Sequence, residues 1–293
     1  METDTQREAM EYDVVIVGAG PSGLATAIKL KQINADANVC IVEKASEVGA
    51  HILSGNVFET KALDELLPDW QSMEGCPLRT KVSKEKFLVL SEKSYFSVPS
   101  FLLPPVQHNK GNYITSLANL CRWLGQVAEG MGVEIYPGFA ASEILYDEQG
   151  KVRGVATNDM GLDINNEKKD SYEPGIELHA KVTVFAEGCR GHLGKQLINK
   201  FNLSENSDPQ QYGIGLKEIW EVPEENHDEG MVLHSVGWPL ENDTYGGSFV
   251  YHAENKQIYL GYVIGLDYSN PYLSPFEEFQ RFKTHPAIKK MLS

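Results

Sequence analysis

Three glycines, Gly18, Gly20 and Gly23, stand at the spacing that lets a backbone cradle a pyrophosphate, and a carboxylate, Glu43, follows 20 residues after the last of them. In such a pattern the first glycine permits a tight turn, the second lets the backbone approach the phosphates, and the third lets helix and strand pack closely. The helix that opens there offers unpaired N–H groups and a partial positive charge to an anion. Glu43 is placed for ribose hydroxyls, and its charge would repel the extra phosphate of NADP, which leaves FAD or NAD.

The flanking residues supply the elements this chemistry needs. Asp13 to Val17 is a short, continuously apolar run rich in β-branched residues, LATAIKLKQI after the glycines is helical with the small Ala27 four positions beyond Gly23, and Asn38 to Glu43 is a second buried strand. Together they predict a parallel βαβ unit. From Ala45 to about Asn109 the turn signals Gly49, Pro68, Pro77, Pro99 and Pro104-Pro105 predict an irregular insert that wraps this domain. Apolar residues at Ile114, Leu117, Leu120, Leu124, Val127 and Met131 predict a helix over 113–131. Val133 to Tyr136 reads as a strand, 143–146 and 152–157 as a hairpin across DEQG, and Val182 to Ala186 as a buried strand that returns to the first sheet. Beyond Leu203, the runs GIGLKEIWEV, GGSFVYH and QIYLGYVIGL and a closing helix from Pro275 predict a second, largely antiparallel domain.

Composition narrows the function classes. The 293 residues carry 26 Lys plus Arg against 41 Asp plus Glu, a net charge of -15 that repels phosphate backbones and argues against nucleic acid as a partner. The four cysteines, Cys40, Cys76, Cys121 and Cys189, form no CxxC pair, so neither a zinc site nor a local iron–sulfur ligand run is expected, and a reducing compartment fits. The first residues lack the marks of a signal or transit peptide, and no run approaches the ~18 apolar residues of a membrane span. Any membrane contact is expected to be peripheral.

The return strand separates FAD from NAD. VTVFAEGCRGHLGK resembles the stretch of glutathione-reductase-type and hydroxylase-type flavoproteins in which a strand re-enters the FAD domain, which implies that Gly188 and Gly191 pass close to the cofactor. Arg190 there is either a steering charge for a carbonyl or phosphate or a solvated surface cation. The strings GAHILSG, KGNYITSL, GVEIYPGFAASEIL, VGWPLENDTYGGSFVYH and LGYVIGLDYSNPYLSPFEEFQRFKTHP resemble the electron-transfer flavoprotein:ubiquinone oxidoreductase family in particular, from about Tyr12 to the last residue.

The resemblance implies an α/β fold: a FAD-binding Rossmann-like domain of the glutathione-reductase/hydroxylase type over 1–200, with the irregular insert at 45–110, and the start of a mainly antiparallel α+β ubiquinone-binding domain over 201–293. It implies an oxidoreductase that takes electrons from reduced electron-transfer flavoprotein through FAD and a 4Fe–4S cluster to ubiquinone at a membrane surface. Gly18, Gly20, Gly23 and Glu43 would hold the adenosine and pyrophosphate end of FAD, while His51, Ser54 and Gly55 would lie near the flavin ring. His51 is otherwise a packed, hydrogen-bonded histidine. Gly246 and Gly247 match the family's quinone-site glycines; without the family they read as a β-bulge. Residues 95–106, YFSVPSFLLPPV, match a segment that helps form a membrane-dipping apolar surface, against core packing under a loop as the plain reading.

Two features depart from the family pattern. Ser116 stands where the family usually has an arginine, with Lys110 and Arg122 as neighbouring cations, and the chain ends at Ser293 without the cluster's cysteines, so the cluster is expected only in a C-terminal region beyond this N-terminal part. No catalytic acid, base or metal ligand is expected. The implied location is the cytoplasmic face of a bacterial inner membrane, or the mitochondrial inner membrane in a eukaryote. The alternatives are another flavin enzyme of the superfamily, such as a geranylgeranyl reductase or hydroxylase, and an inactive truncated flavin-binding fragment.

Overall fold

A computed structural model describes residues 7–53 and 57–293. The first elements are β1 (Ala9–Val17), α1 (Pro21–Ile33), β2 (Val39–Glu43), β3 (Val57–Phe58), α2 (Lys61–Leu66), β4 (Thr80–Lys81), β5 (Lys84–Leu90), β6 (Tyr95–Val98) and β7 (Tyr113–Ile114). There follow α3 (Leu117–Gly130), β8 (Glu134–Pro137), β9 (Ala141–Tyr146), β10 (Val152–Thr157), β11 (Met160–Leu162), β12 (Lys168–Glu173), β13 (Glu177–Phe185) and α4 (His192–Phe201). The last are β14 (Gly213–Glu221), β15 (Met231–Gly237), β16 (Gly246–His252), β17 (Gln257–Gly265), α5 (Pro275–Thr284) and α6 (Pro286–Leu292).

The chain divides into two compact units: residues up to Ile52 together with Leu117–Ser207, and Leu53–Ser116 together with Asp208–Ser293. In the first, a sheet runs in the order β8-β2-β1-β13-β10-β9. β8, β2, β1 and β13 are mutually parallel, and the β9–β10 hairpin adds antiparallel to β13. Parallel strands buried on both faces need continuous apolar runs, which β1 and β2 have. Val15, Val17, Cys40 and Val42 join Leu193 and Leu197 of α4 in one core, while Ile16 lies under α1, its Cγ2 3.2 Å from where a Cβ of Gly23 would stand.

The second unit is a sheet ordered β14-β17-β16-β15-β5-β6, antiparallel except for β5 beside β15. Its alternate residues separate two faces. Leu88, Leu233, Val250, Leu260, Tyr262 and Ile264 meet Phe279 and Phe282 of α5 and Ile288 of α6. On the other face Val232, Tyr251 and Tyr259 pack with Val82 and with Ile114 of β7, which pairs with β3 and β4.

The structure corrects the expected boundaries in two places. The stretch 53–110, expected as an irregular insert of the first domain, clusters instead with the second unit, because β5 pairs in parallel with β15 and β6 extends the same sheet. The expected helix over 113–131 begins only at Leu117: Tyr113 and Ile114 form β7, turned by Gly111 at φ +100°, and Ile114 is buried in the second unit while Leu120 and Leu124 are buried in α3.

Candidate functional site

In the first unit the glycine cradle forms where β1 ends. Gly18 has φ +105°, its N–H donates to Val42 O at 2.8 Å, and a Cβ on it would stand 2.6 Å from Ala186 O. A Cβ on Gly23 would stand 2.0 Å from Gly18 O, so the turn and the helix can meet only through glycine. Gly20 differs: it caps α1 without a side-chain hydrogen bond, and a Cβ on it would meet nothing within 4 Å. The space beside the first N–H groups of α1 is therefore open, as a pyrophosphate requires.

Glu43 closes β2 at the edge of this space. Its Oε2 accepts from Ala19 N–H and its Oε1 from Ala45 N–H, each at 2.8 Å. A carboxylate has about four acceptor positions, so the backbone fixes the group while leaving it able to accept from two ribose hydroxyls. Gly188, just past β13, has φ +80° and likewise faces open space. Gly191 does not: a Cβ there would strike the Glu187 side chain at 2.4 Å. Glu187, which the sequence reading passed over, accepts from Gly194 N–H at 2.7 Å and from Leu193 N–H at 3.3 Å and so caps α4. The signal was present as an acid five residues before the helix.

His51 is exposed in the turn after Gly49, and Ser54 and Gly55 lie outside the described residues. Gly49 has φ +86°, and a Cβ on it would stand 2.6 Å from Ala118 O, which anchors the turn to the start of α3. Arg122 is committed within this unit, its guanidinium donating to Glu47 Oε1 and Asn119 Oδ1 at 2.9 Å each.

The second unit holds a cavity of about 510 Å³ on the sheet face away from α5 and α6. Its wall includes Phe87, Val106, His234, Val236, Phe249 and Val263, with Gly246 and Gly247 at the sheet and Tyr245 at the rim. The two glycines lie in an unshifted β16–β17 ladder, opposite Ile264 and Val263, so no bulge is present there. They are glycine for different reasons. Alternation puts Gly247 on the cavity face, where a Cβ would crowd Ser235 O at 2.7 Å, whereas a Cβ on Gly246 would strike Leu240 Cδ1 and Val263 O at 2.5 Å.

The cavity's polar groups went unseen in the sequence. His234 Nε2 lies 2.7 Å from the Tyr251 hydroxyl, and Tyr251 stacks on Phe249 at 4.7 Å. Burial pushes the Tyr251 phenol up and the His234 imidazole down, the latter against the opposing charge of Glu85. Burial also pushes Glu85 up, but the Asn109 N–H and the His108 ring together hold its carboxyl below the usual range.

Residues 95–106 are not buried under a loop. Tyr95, Phe96, Phe101, Leu102 and Val106 are exposed, Phe101 at 82% and Val106 at 90%. Among the described residues no helix is long and apolar enough to cross a membrane, and no group of three or more His, Cys, Asp or Glu side chains is arranged to hold a metal ion.

Comparisons with known proteins match two segments of the chain. Residues 16–67 match an NAD(P)-binding Rossmann-like domain, and residues 212–293 match the family described as ETF-QO, ubiquinone-binding. Among solved structures, a geranylgeranyl bacteriochlorophyll reductase-like protein from Thermoplasma acidophilum superimposes with TM-score 0.68 at 17% identity, covering 96% of this chain and 64% of that one. A flavoprotein/dehydrogenase from Cytophaga hutchinsonii does so with TM-score 0.63 at 20% identity, covering 97% and 63%. These show the fold. The chain is 59% identical over 293 residues to the electron transfer flavoprotein-ubiquinone oxidoreductase of Pseudomonas aeruginosa, covering 98% of this chain and 53% of that protein. It is 53% identical over 294 residues to the mitochondrial protein of that name from Bos taurus, covering 98% and 47%. The chain thus spans about half the length of these curated relatives, and over that half it is similar to electron transfer flavoprotein-ubiquinone oxidoreductases.

Proposed function

We propose that the chain is the flavin- and quinone-binding portion of an oxidoreductase that passes electrons from reduced electron-transfer flavoprotein to ubiquinone. The observation that carries the reading is the largely apolar cavity at Gly246 and Gly247, most of whose lining, from His234 to Val263, comes from the segment matched to the ubiquinone-binding family. A largely apolar pocket with few polar groups is what a flat, carbonyl-bearing ring requires.

FAD is the dinucleotide of this reading. Gly18 and Gly23 shape the turn, the open space at Gly20 and the N-terminus of α1 receive the pyrophosphate, and Glu43 takes the ribose hydroxyls. Gly188 gives a second close backbone approach, Gly191 serves it indirectly by leaving room for Glu187 to cap α4, and His51, Ser54 and Gly55 are assigned to the flavin end. When bound, FAD supplies the two-electron redox chemistry, and the chain's residues bind and orient it. A 4Fe–4S cluster is assigned to the part of the longer protein that this chain does not span.

The exposed apolar run 95–106 is assigned to peripheral contact with a bacterial inner or mitochondrial inner membrane. Val106 belongs both to that run and to the cavity wall, so a quinone could pass from lipid to cavity over apolar surface.

The test is the visible spectrum and FAD-to-protein ratio of the purified chain, then anaerobic reduction and addition of a soluble quinone. Near-stoichiometric FAD, reoxidised by quinone, supports the reading. A stably folded chain that takes up no flavin, or whose reduced flavin ignores quinone, overturns it.

A further inference from the structure

The cavity wall contains one side chain whose polar atom is fixed from behind by a buried partner. Tyr251 is 7% exposed, and its phenol has one hydrogen-bond partner among the described residues, His234 Nε2 at 2.7 Å. A buried hydroxyl without an acceptor is costly, so its proton goes to Nε2. Burial keeps the imidazole neutral and the phenol protonated. A neutral imidazole that accepts at Nε2 carries its proton on Nδ1, and Nδ1 has no hydrogen-bond partner among the described residues.

The tyrosine is itself immobilised. Its ring stacks on Phe249 at an interplanar angle of 19°, and Phe249 in turn covers its cross-strand neighbour Gly261, where a Cβ would stand 2.0 Å from the ring's Cζ. An aromatic ring covering a cross-strand glycine is a rigid arrangement, so Gly261, Phe249, Tyr251 and His234 form a chain of contacts ending at the cavity. The neighbouring titratable groups are otherwise engaged: Glu85 holds the Asn109 N–H and the His108 ring. Ser235 and Ser248 hydrogen-bond each other at 2.5 Å, on strand positions that alternation directs to the opposite face.

We propose that His234 is the polar anchor of the cavity, its Nδ1–H donating to one carbonyl oxygen of a bound quinone, with Tyr251 as the positioning residue that fixes the tautomer. This rests on the quinone reading above. The anchor sets the orientation of the ring in a largely apolar pocket whose wall also carries Gln107 and Asn109, and it places a donor where negative charge develops on the oxygen during reduction.

The experiment uses the whole chain and a short-tailed soluble ubiquinone with ¹³C-labelled carbonyls, read by calorimetry and by isotope-edited infrared spectroscopy. Wild type binds the quinone with one carbonyl stretch lowered by the hydrogen bond. His234→Leu loses about tenfold in affinity, the worth of one such bond, and the lowered stretch returns to the free value. His234→Gln, which keeps an N–H donor, recovers part of both. Tyr251→Phe keeps the fold and broadens the stretch, because the imidazole then samples both tautomers. An analogue with methoxy groups in place of both carbonyls binds wild type and His234→Leu alike. Equal affinity and an unshifted stretch in a folded His234→Leu chain overturn the anchor while leaving the quinone reading standing. A folded wild type that binds no quinone overturns both.

Discussion

The carbonyl oxygen of Gly18 occupies the place where a side chain on Gly23 would begin, 2.0 Å from its ideal Cβ. Gly20, two residues from Gly18, faces open space. The same motif therefore contains one glycine demanded by the fold and one that leaves open space, which the proposed reading gives to the dinucleotide.

Alanine substitutions separate the two roles. Gly23→Ala forces α1 away from the turn and is expected to cost about 3 kcal/mol, the scale of overpacking a rigid contact. Gly20→Ala, at φ -78° and ψ -179°, adopts the same backbone and loses at most about 1 kcal/mol as a poorer cap. Its effect is on the dinucleotide, whose affinity falls at least tenfold. Denaturant titration and flavin retention on the two variants should move in opposite proportion; equal loss of both quantities in both variants would refute this.

The glycine turn was readable because all its parts are local: a β-branched run, glycines at fixed offsets, a helix and a terminal acid lie within a single βαβ unit. What stayed hidden was non-local. Lys84–Leu90 ends in the apolar run FLVL, but its partner is Met231–Gly237, far along the chain, and the intervening prolines argue for a loop. The same holds for the cavity, since His234 and Tyr251 meet only because β15 and β16 pair antiparallel, and nothing local to either residue announces the other. Ile114 fits the helical spacing of α3 by coincidence and belongs to another core.

Glu187 offers a test of a cap supplied from outside its helix. Its carboxylate takes the N–H groups of Gly194 and Leu193 and is largely shielded from solvent. Glu187→Ala leaves these donors without their partner and is expected to cost about 1–2 kcal/mol, with Glu187→Gln retaining about half. Urea unfolding measures this directly. Because Gly188 is adjacent, flavin affinity should fall in parallel with the loss of the cap, and a variant that loses stability with unaltered flavin binding would separate the two.

His252 makes the stability of the second unit depend on pH. Burial first, and then the nearby His227 ring, push its imidazole down to about 4, against the opposing charge of Asp228. Its Nδ1 accepts from the Asp228 backbone N–H at 3.0 Å, so protonation there would set two donors against each other. The unfolded chain, with an ordinary histidine near 6.5, binds the proton more readily. Stability is thus full above pH 6.5 and falls as pH drops from 6.5 towards 4, by up to about 3 kcal/mol for this group. His252→Asn, whose side-chain oxygen can accept the same N–H, should flatten the slope of unfolding free energy between pH 6.5 and 4. An unchanged slope would show that other groups set it.

Phe101 and Leu102 decide whether the apolar run touches lipid. Both are exposed, at 82% and 64%, and make little of the core, so replacing them by serine should alter stability by no more than about 0.5 kcal/mol. If the run dips into a bilayer, each ring or branched side chain withdrawn from water contributes about 1.5–3 kcal/mol to partitioning, so the double variant should lose at least tenfold in binding to vesicles of neutral phosphatidylcholine. Few cations flank 95–106, and the whole chain is strongly acidic, so this binding should be insensitive to salt and should weaken rather than strengthen on anionic vesicles. Co-sedimentation at low and high salt separates the cases. Binding that disappears in salt would place the contact on charged residues elsewhere, and equal binding by the double variant would remove residues 95–106 from the membrane face.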